Sequence, residues 1–216
     1  MTRRPARSLL VALFTAAAAA ALLPAGCGGI RTVSKDGYRA TLLFSKGERY
    51  ELAVRGEMRR VEGAMDGAPL VKIMRPDLRA TWQFRPGSKT ILEETWSPTD
   101  EIVPGYPLDP HFDSSAYAGR FHGEILKIAD GVHAGHPCDR YQMDLPSGDR
   151  VTIWAARDLE RLPVRVEHFH KSGEDEFQPF SEVQLVDVRV GAPEKLFQKP
   201  AGYRAVKSYE ELRGRK

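Results

Sequence analysis

Cysteine is nearly absent, with two in 216 residues, too few for a disulfide scaffold or a four-cysteine zinc site. An excess of one charge is lacking as well. The 32 Lys+Arg fall to 29 once Arg3, Arg4 and Arg7 of the leading segment are set aside, which equals the 29 Asp+Glu. No basic block or stripe then remains to neutralise phosphates, so nucleic acid is excluded as a partner. The chain has no H-E-x-x-H, no G-x-S-x-G, no glycine-rich phosphate loop and no dinucleotide fingerprint, which removes the common metalloprotease, hydrolase and nucleotide-binding motifs. Its one long apolar run, Leu9 to Leu23, is 15 residues, short of the ~20 that a membrane-crossing helix needs. What is present is a globular composition, 42% hydrophobic, 28% charged and 9% aromatic, of a length that suits one domain.

The leading segment joins a basic start (Arg3, Arg4, Arg7) to that alanine-rich run, the shape of a secretory signal. It ends in Pro24-Ala25-Gly26-Cys27-Gly28-Gly29, which resembles the lipobox of bacterial lipoproteins, with Pro24 where the family pattern has Leu, Val or Ile. The resemblance implies a signal over residues 1–26, cut before Cys27, and lipid attached to the Cys27 thiol. The alternative is a secretory signal cut near Ala25 with Cys27 left as a free thiol. Gly28, in place of Asp, resembles lipoproteins sent to the outer membrane. The expected location is thus the periplasmic face of the bacterial envelope, lipid-anchored, outer membrane favoured over inner. Cys138 is then the one thiol not committed to lipid, and beside Tyr141, Met143 and Leu145 it reads as a small core residue.

From Tyr38 onward the period is two. Tyr38, Ala40, Leu42 and Phe44 share a strand face; Tyr50, Leu52 and Val54 repeat the pattern; Ala80, Trp82 and Phe84 precede the turn Pro86-Gly87-Ser88 and a hairpin partner from Lys89 to Thr95. Further alternation runs over 57–62, 70–74, 123–128, 138–145, 150–156, 164–170 and 182–190. The pattern predicts one antiparallel meander of nine to eleven strands. Residues 28–37 have no core pattern, and 27–37 reads as a lipidated tether before a domain over 38–206. Asp109, Pro110 and Gly119 have the spacing of a cap, first turn and stop for a helix over 108–119, with Phe112 and Ala116 on one side. Ser208 and Glu211 have capping-box spacing, which predicts a helical tail over 207–216.

So long a sheet must bend to bury a face. The predicted inner face of an incomplete barrel is Leu42, Phe44, Leu52, Val54, Trp82, Phe84, Val151 and Ile153, with Phe112 and Ala116 on a helical lid. That interior is either a filled core or a cavity for acyl chains, each buried methylene contributing about 0.8 kcal/mol.

Enzyme readings find little support. His168 and His170 share a strand face and His133 and His136 flank a turn, but no third metal ligand is fixed by spacing. Glu93-Glu94 and Asp175-Glu176 stand at turns or strand ends where solvated acids are ordinary, and Ser45 and Ser114-Ser115 lack a nucleophile setting. A non-catalytic protein without cofactor or metal is expected.

Met74-Arg75-Pro76-Asp77-Leu78 leading to Trp82 and Pro86-Gly87-Ser88-Lys89, then Pro163-Val164-Arg165-Val166-Glu167, then Leu196-Phe197-Gln198-Lys199-Pro200-Ala201-Gly202-Tyr203 together resemble the LolA/LolB-like superfamily of periplasmic lipoprotein carriers. The resemblance implies a mainly β fold, a single highly curved antiparallel sheet with one or two short helices as lid. It also implies a binding protein that holds or passes a lipid or lipoprotein acyl chain. The alternative on the same fold is a structural or regulatory envelope lipoprotein with a protein partner.

Overall fold

The computed structural model describes residues 31–65, 67–98, 106–173 and 176–214. The lipobox-like segment and Cys27 lie outside them. A helical turn, α1 (Val33–Asp36), precedes β1 (Tyr38–Phe44), β2 (Arg49–Arg55), β3 (Met58–Met65), β4 (Ala68–Arg75), β5 (Ala80–Arg85) and β6 (Thr90–Thr95). After α2 (Ser114–Phe121) come β7 (Glu124–His133), β8 (His136–Asp144), β9 (Arg150–Ala156), β10 (Leu162–Lys171) and β11 (Phe177–Val190). A short β12 (Arg204–Val206) and α3 (Tyr209–Leu212) end the fold.

All twelve strands make one open, curved sheet in the order β12-β6-β5-β4-β3-β2-β1-β11-β10-β9-β8-β7. The expected mainly β, antiparallel architecture is present, with two differences. The sheet is two meanders rather than one, β1–β6 and β7–β11, joined where Leu42 of β1 stands opposite Leu185 of β11. The second difference is β12, which pairs parallel to β6, Ala205 opposite Ile91. Strands β7 and β11 also outrun their predicted bounds, because bulges at Lys127/Ala129 and His168/Phe169 break the alternation from which bounds are read.

Residues 32–37, expected within the tether, are folded. The Thr32 hydroxyl caps α1 by accepting from Lys35 N at 3.3 Å, and Val33 is buried. Gly191 N and Ala192 N donate to the carbonyls of Gly37 and Asp36 at 2.8 and 2.9 Å. Gly37 has φ +72°, and a Cβ there would lie 2.2 Å from the Val54 carbonyl oxygen. A glycine that has the look of linker in the sequence is here a close backbone contact.

The helix expected over 108–119 begins later. Asp113, not Asp109, caps it, its carboxylate accepting from Ser115 N and Ala116 N at 2.9 and 3.1 Å. Asp109 instead pairs with Arg59. Gly119 lies inside the helix, and the chain leaves it at His122 in the left-handed region. Of the helical tail expected over 207–216, helix α3 takes four residues, with the Ser208 hydroxyl accepting from Glu211 N at 3.2 Å. Its Leu212 packs on Leu70, Leu92 and Val206.

The sheet buries a different set of side chains on each face. On the first face, Leu52 stands opposite Val61, Val61 opposite Lys72, and Lys72 opposite Gln83. The neighbours of Gln83, Trp82 and Phe84, therefore point to the second face. There they pack with Ala53, Val71, Ile73 and Ile91 under the returning segment that carries Ala192 and Phe197.

Candidate functional site

The first face over β1, β2 and β8–β11 gathers most of the predicted lining. Leu42, Leu52, Val54, Val151 and Ile153 are each 2% exposed or less and belong to one apolar cluster. Phe44 is half-buried at its margin, edge-on to Tyr50 with ring centroids 5.6 Å apart. Trp82 and Phe84, predicted in the same lining, lie on the other side of the sheet. Alternation shows which residues of one strand share a face, but not which faces of distant strands coincide; the register through β3 and β4 decides that.

What covers this face is residues 106–121, a loop and helix α2. Tyr106, Leu108, Phe112, Tyr117 and Ala118 are buried in the same cluster. The Phe112 ring lies 5.5 Å from both Tyr117 and Tyr141. Phe112 thus has the inward position predicted for it, whereas Ala116 is exposed on the outer side of the helix. Phe112 precedes the helix, so helical spacing does not tie Ala116 to its side, and Tyr117 and Ala118 face inward instead.

Besides the Asp109–Arg59 pair, hydrogen bonds tie the cover to the sheet. The Tyr38 hydroxyl donates to the Leu108 carbonyl at 2.7 Å, and the Tyr106 hydroxyl donates to the Pro163 carbonyl at 3.0 Å. His111 N donates to the Glu160 carbonyl at 2.6 Å and Phe112 N to the Arg161 carbonyl at 3.3 Å. Burial pushes both phenols well above their ordinary range, so they remain donors throughout the neutral range. The remaining attachment is apolar, at about 1.5–3 kcal/mol for each large side chain buried. Tyr106 and Tyr117 follow no alternating pattern, so the sequence carries no signal of their role; Tyr38 is visible only as a strand residue.

Among the described residues, the titratable groups do not converge on one site. Cys138 is buried, its thiol pushed up by desolvation and donating to the His136 carbonyl at 3.3 Å. His136 pairs with Asp158 at 2.9 Å and His170 with Asp149 at 2.8 Å, each near the surface. Burial holds His133 and His168 below the usual histidine value. Among the described residues, no three His, Cys, Asp or Glu side chains gather into a group that could hold a metal ion. On the second face, Trp82 Nε1 donates to Glu93 at 3.0 Å, and the Lys199 ammonium beside Glu93 holds that carboxyl below its usual range.

No family model matches the chain, and no curated protein matches it. Among solved structures, MucB matches over 80% of this chain at 16% identity, with a TM-score of 0.54. The fold is shared with MucB. This chain spans about 60% of MucB's length. MucB in complex with MucA(peri) matches at 14% identity over 79% of this chain and 57% of that one, TM-score 0.50. An uncharacterised conserved protein from Thermus thermophilus matches at 9% identity over 82% of this chain and 92% of that one, TM-score 0.53. A LolA superfamily protein from Nitrosomonas europaea is also among the structures matched, at 12% identity over 79% of this chain and 93% of that one, TM-score 0.30.

Proposed function

We propose that this chain is a non-catalytic binding protein of the bacterial cell envelope, anchored by lipid on Cys27. It takes a hydrophobic ligand, a lipid or lipoprotein acyl chain, against the first face of its sheet when residues 106–121 lift away. The observation that carries this reading is the nature of the cover. A loop and an eight-residue helix, rather than a paired strand, seal an apolar surface made of Leu42, Leu52, Val54, Val151 and Ile153. Lifting the cover breaks few hydrogen bonds, and an acyl chain replaces the lost apolar contacts at about 0.8 kcal/mol per methylene. Gly28 supports placing the anchor in the outer membrane.

The test is titration of the chain with a fluorescent fatty acid, beside mass spectrometry of lipid that co-purifies with it. Saturable binding is expected, with the Phe112→Ala variant binding more tightly because its cover is weaker. A folded sample that neither carries lipid nor binds the probe in either form overturns the carrier reading.

A second reading is favoured by one finding: the shared fold includes a MucB structure in complex with MucA(peri). On this reading the chain engages an envelope protein partner and the cover stays closed. Edge strand β7 is the available pairing surface, with Leu126, Ile128 and Val132 exposed along it. Cross-linking in cells that captures one specific partner through β7, together with a Phe112→Ala variant inert toward fatty acid, distinguishes it from the carrier.

A further inference from the structure

The second face carries a feature that neither its core nor the cover on the opposite face uses. Arg39 of β1 stands directly opposite Arg189 of β11. Arg39 also stands opposite Ala53, whose side chain lies in the second-face cluster, so both guanidinium groups leave the sheet on that face. Like charges directly across a ladder destabilise a sheet. Here the two arginines line a surface groove of about 290 Å³ with Arg49, Glu51 and Asp187. The two acids in it offset the three arginines only in part, and both lie against Arg49, Glu51 at 3.9 Å and Asp187 at 3.8 Å. Arg39 is steadied by a 3.2 Å bond from its Nε to the Gly191 carbonyl. Among the described residues, no carboxylate pairs with Arg39 or Arg189.

Arg39 also lines an adjoining groove of about 250 Å³, together with Arg31, Arg55 and the Gly191 turn. In that groove Arg55 donates to the Ala192 carbonyl at 3.1 Å, which fixes its guanidinium at the wall. Asp36, the one acid in it, accepts from Thr32 N at 3.1 Å. The two grooves adjoin through Arg39, and among the described residues no carboxylate in either pairs with Arg31, Arg39 or Arg189. A planar guanidinium offers paired donors that match a phosphate group.

Position identifies the source of that phosphate. Arg31 is four residues from Cys27, and four extended residues span at most about 14 Å. On the reading that Cys27 carries lipid in a bilayer, Arg31 at the mouth of the cleft lies within about 14 Å of the anchored residue, in reach of the headgroup layer. We propose that the Arg31, Arg39 and Arg189 cleft binds the phosphate of an anionic phospholipid headgroup in the membrane that holds the amino terminus. The anchor then does more than tether. Headgroup binding fixes the second face toward the bilayer and turns the cover over residues 106–121 away from it.

The experiment uses the chain from residue 27 onward carrying Cys27→Ser, since every core cluster among the described residues is built from Val33 onward. Sedimentation with vesicles of phosphatidylglycerol and phosphatidylcholine, against pure phosphatidylcholine, reads the binding. The result expected is salt-sensitive binding to the anionic vesicles alone. It weakens roughly fivefold for each of Arg39→Gln and Arg189→Gln, while the unfolding midpoint of Arg189→Gln holds or rises as like-charge repulsion is relieved. Equal binding to both vesicle types, or anionic binding unchanged in the double variant, overturns the proposal. Saturable binding of inorganic phosphate at matched ionic strength, with no preference for anionic vesicles, overturns the lipid assignment in favour of a free phosphate. Because this chain bears no lipid, a Cys27 found unmodified in the native protein is a separate result, read by mass spectrometry of the native amino end.

Discussion

The hydroxyl of Tyr38, fully buried in β1, donates a 2.7 Å hydrogen bond to the carbonyl of Leu108 in the segment that covers the first face. One contact thus ties the central strand to the part of the chain proposed to move. Tyr38→Phe removes the donor and leaves a buried carbonyl unpaired, at a cost of about 1–3 kcal/mol. Urea unfolding should show that loss, and a fluorescent fatty acid should bind the variant more tightly than the parent.

The same phenol sets an alkaline limit. Burial raises the values of Tyr38 and Tyr106 far above the ordinary 10. Below pH 10 both phenols are neutral in folded and unfolded chains, and their full contribution is present. Above it the unfolded chain ionises while the folded chain does not, so stability falls with rising pH. Unfolding free energies measured from pH 8 to 11 should decline at the upper end, with a shallower slope in Tyr38→Phe.

At the acid side the sign reverses. Burial, helped by the Arg165 guanidinium, lowers His133 below 6.5, and burial lowers His168 in the same direction. Both contribute fully above pH 6.5, and their contribution is lost as pH falls below it, because the unfolded chain takes up protons that the folded chain resists. The denaturation midpoint should drop between pH 6.5 and 5.5, ahead of the carboxylates. The paired change His133→Leu and His168→Leu should flatten that drop.

Two glycines separate backbone strain from collision. Gly37 and Gly47 both have positive φ, but a Cβ at Gly37 meets the Val54 carbonyl, whereas at Gly47 it meets nothing within 4 Å. Gly47→Ala should cost about 1–2 kcal/mol, the penalty of the left-handed region alone. Gly37→Ala should cost clearly more in the same denaturant titration, since β2 must also give way.

Opposite faces should answer differently to cavities. Phe84→Ala, on the second face, should lower stability by about 3–5 kcal/mol and leave fatty-acid affinity unchanged. Phe112→Ala should also destabilise while tightening the probe. A matched change in affinity for both would show that the two faces are not independent, against the register that separates them.

How far the sequence reaches follows from the kind of signal each feature leaves. Strand β9 is legible to the residue, Arg150–Ala156, because Val151, Ile153 and Ala155 recur with a period of two. The first-face residues Leu42, Leu52, Val54, Val151 and Ile153 are legible for the same reason. Trp82 and Phe84 share a face, as their alternation shows, but it is the face opposite to Leu52. Strands β3 and β4 separate them from Leu52, and register across two intervening strands leaves no local pattern. The α2 boundary is ambiguous in the sequence because Asp109 and Asp113 are both capping residues, and Arg59 claims the first of them. The Arg39–Arg189 pair joins residues at opposite ends of the domain, which only the seam between β1 and β11 brings together.

That seam also governs the order of assembly. Strand β1 has β2 on one flank from the start, but its other flank is β11, and Tyr38 waits for Val190. Strands β1 through β6 pair with sequence neighbours and can zip early, yet β1 stays half-bare until β11 arrives. Pairing between such remote segments is slow and exposes an unpaired edge to aggregation meanwhile. Closing the sheet therefore depends on β11, and β1 is the strand left with an open edge until it docks.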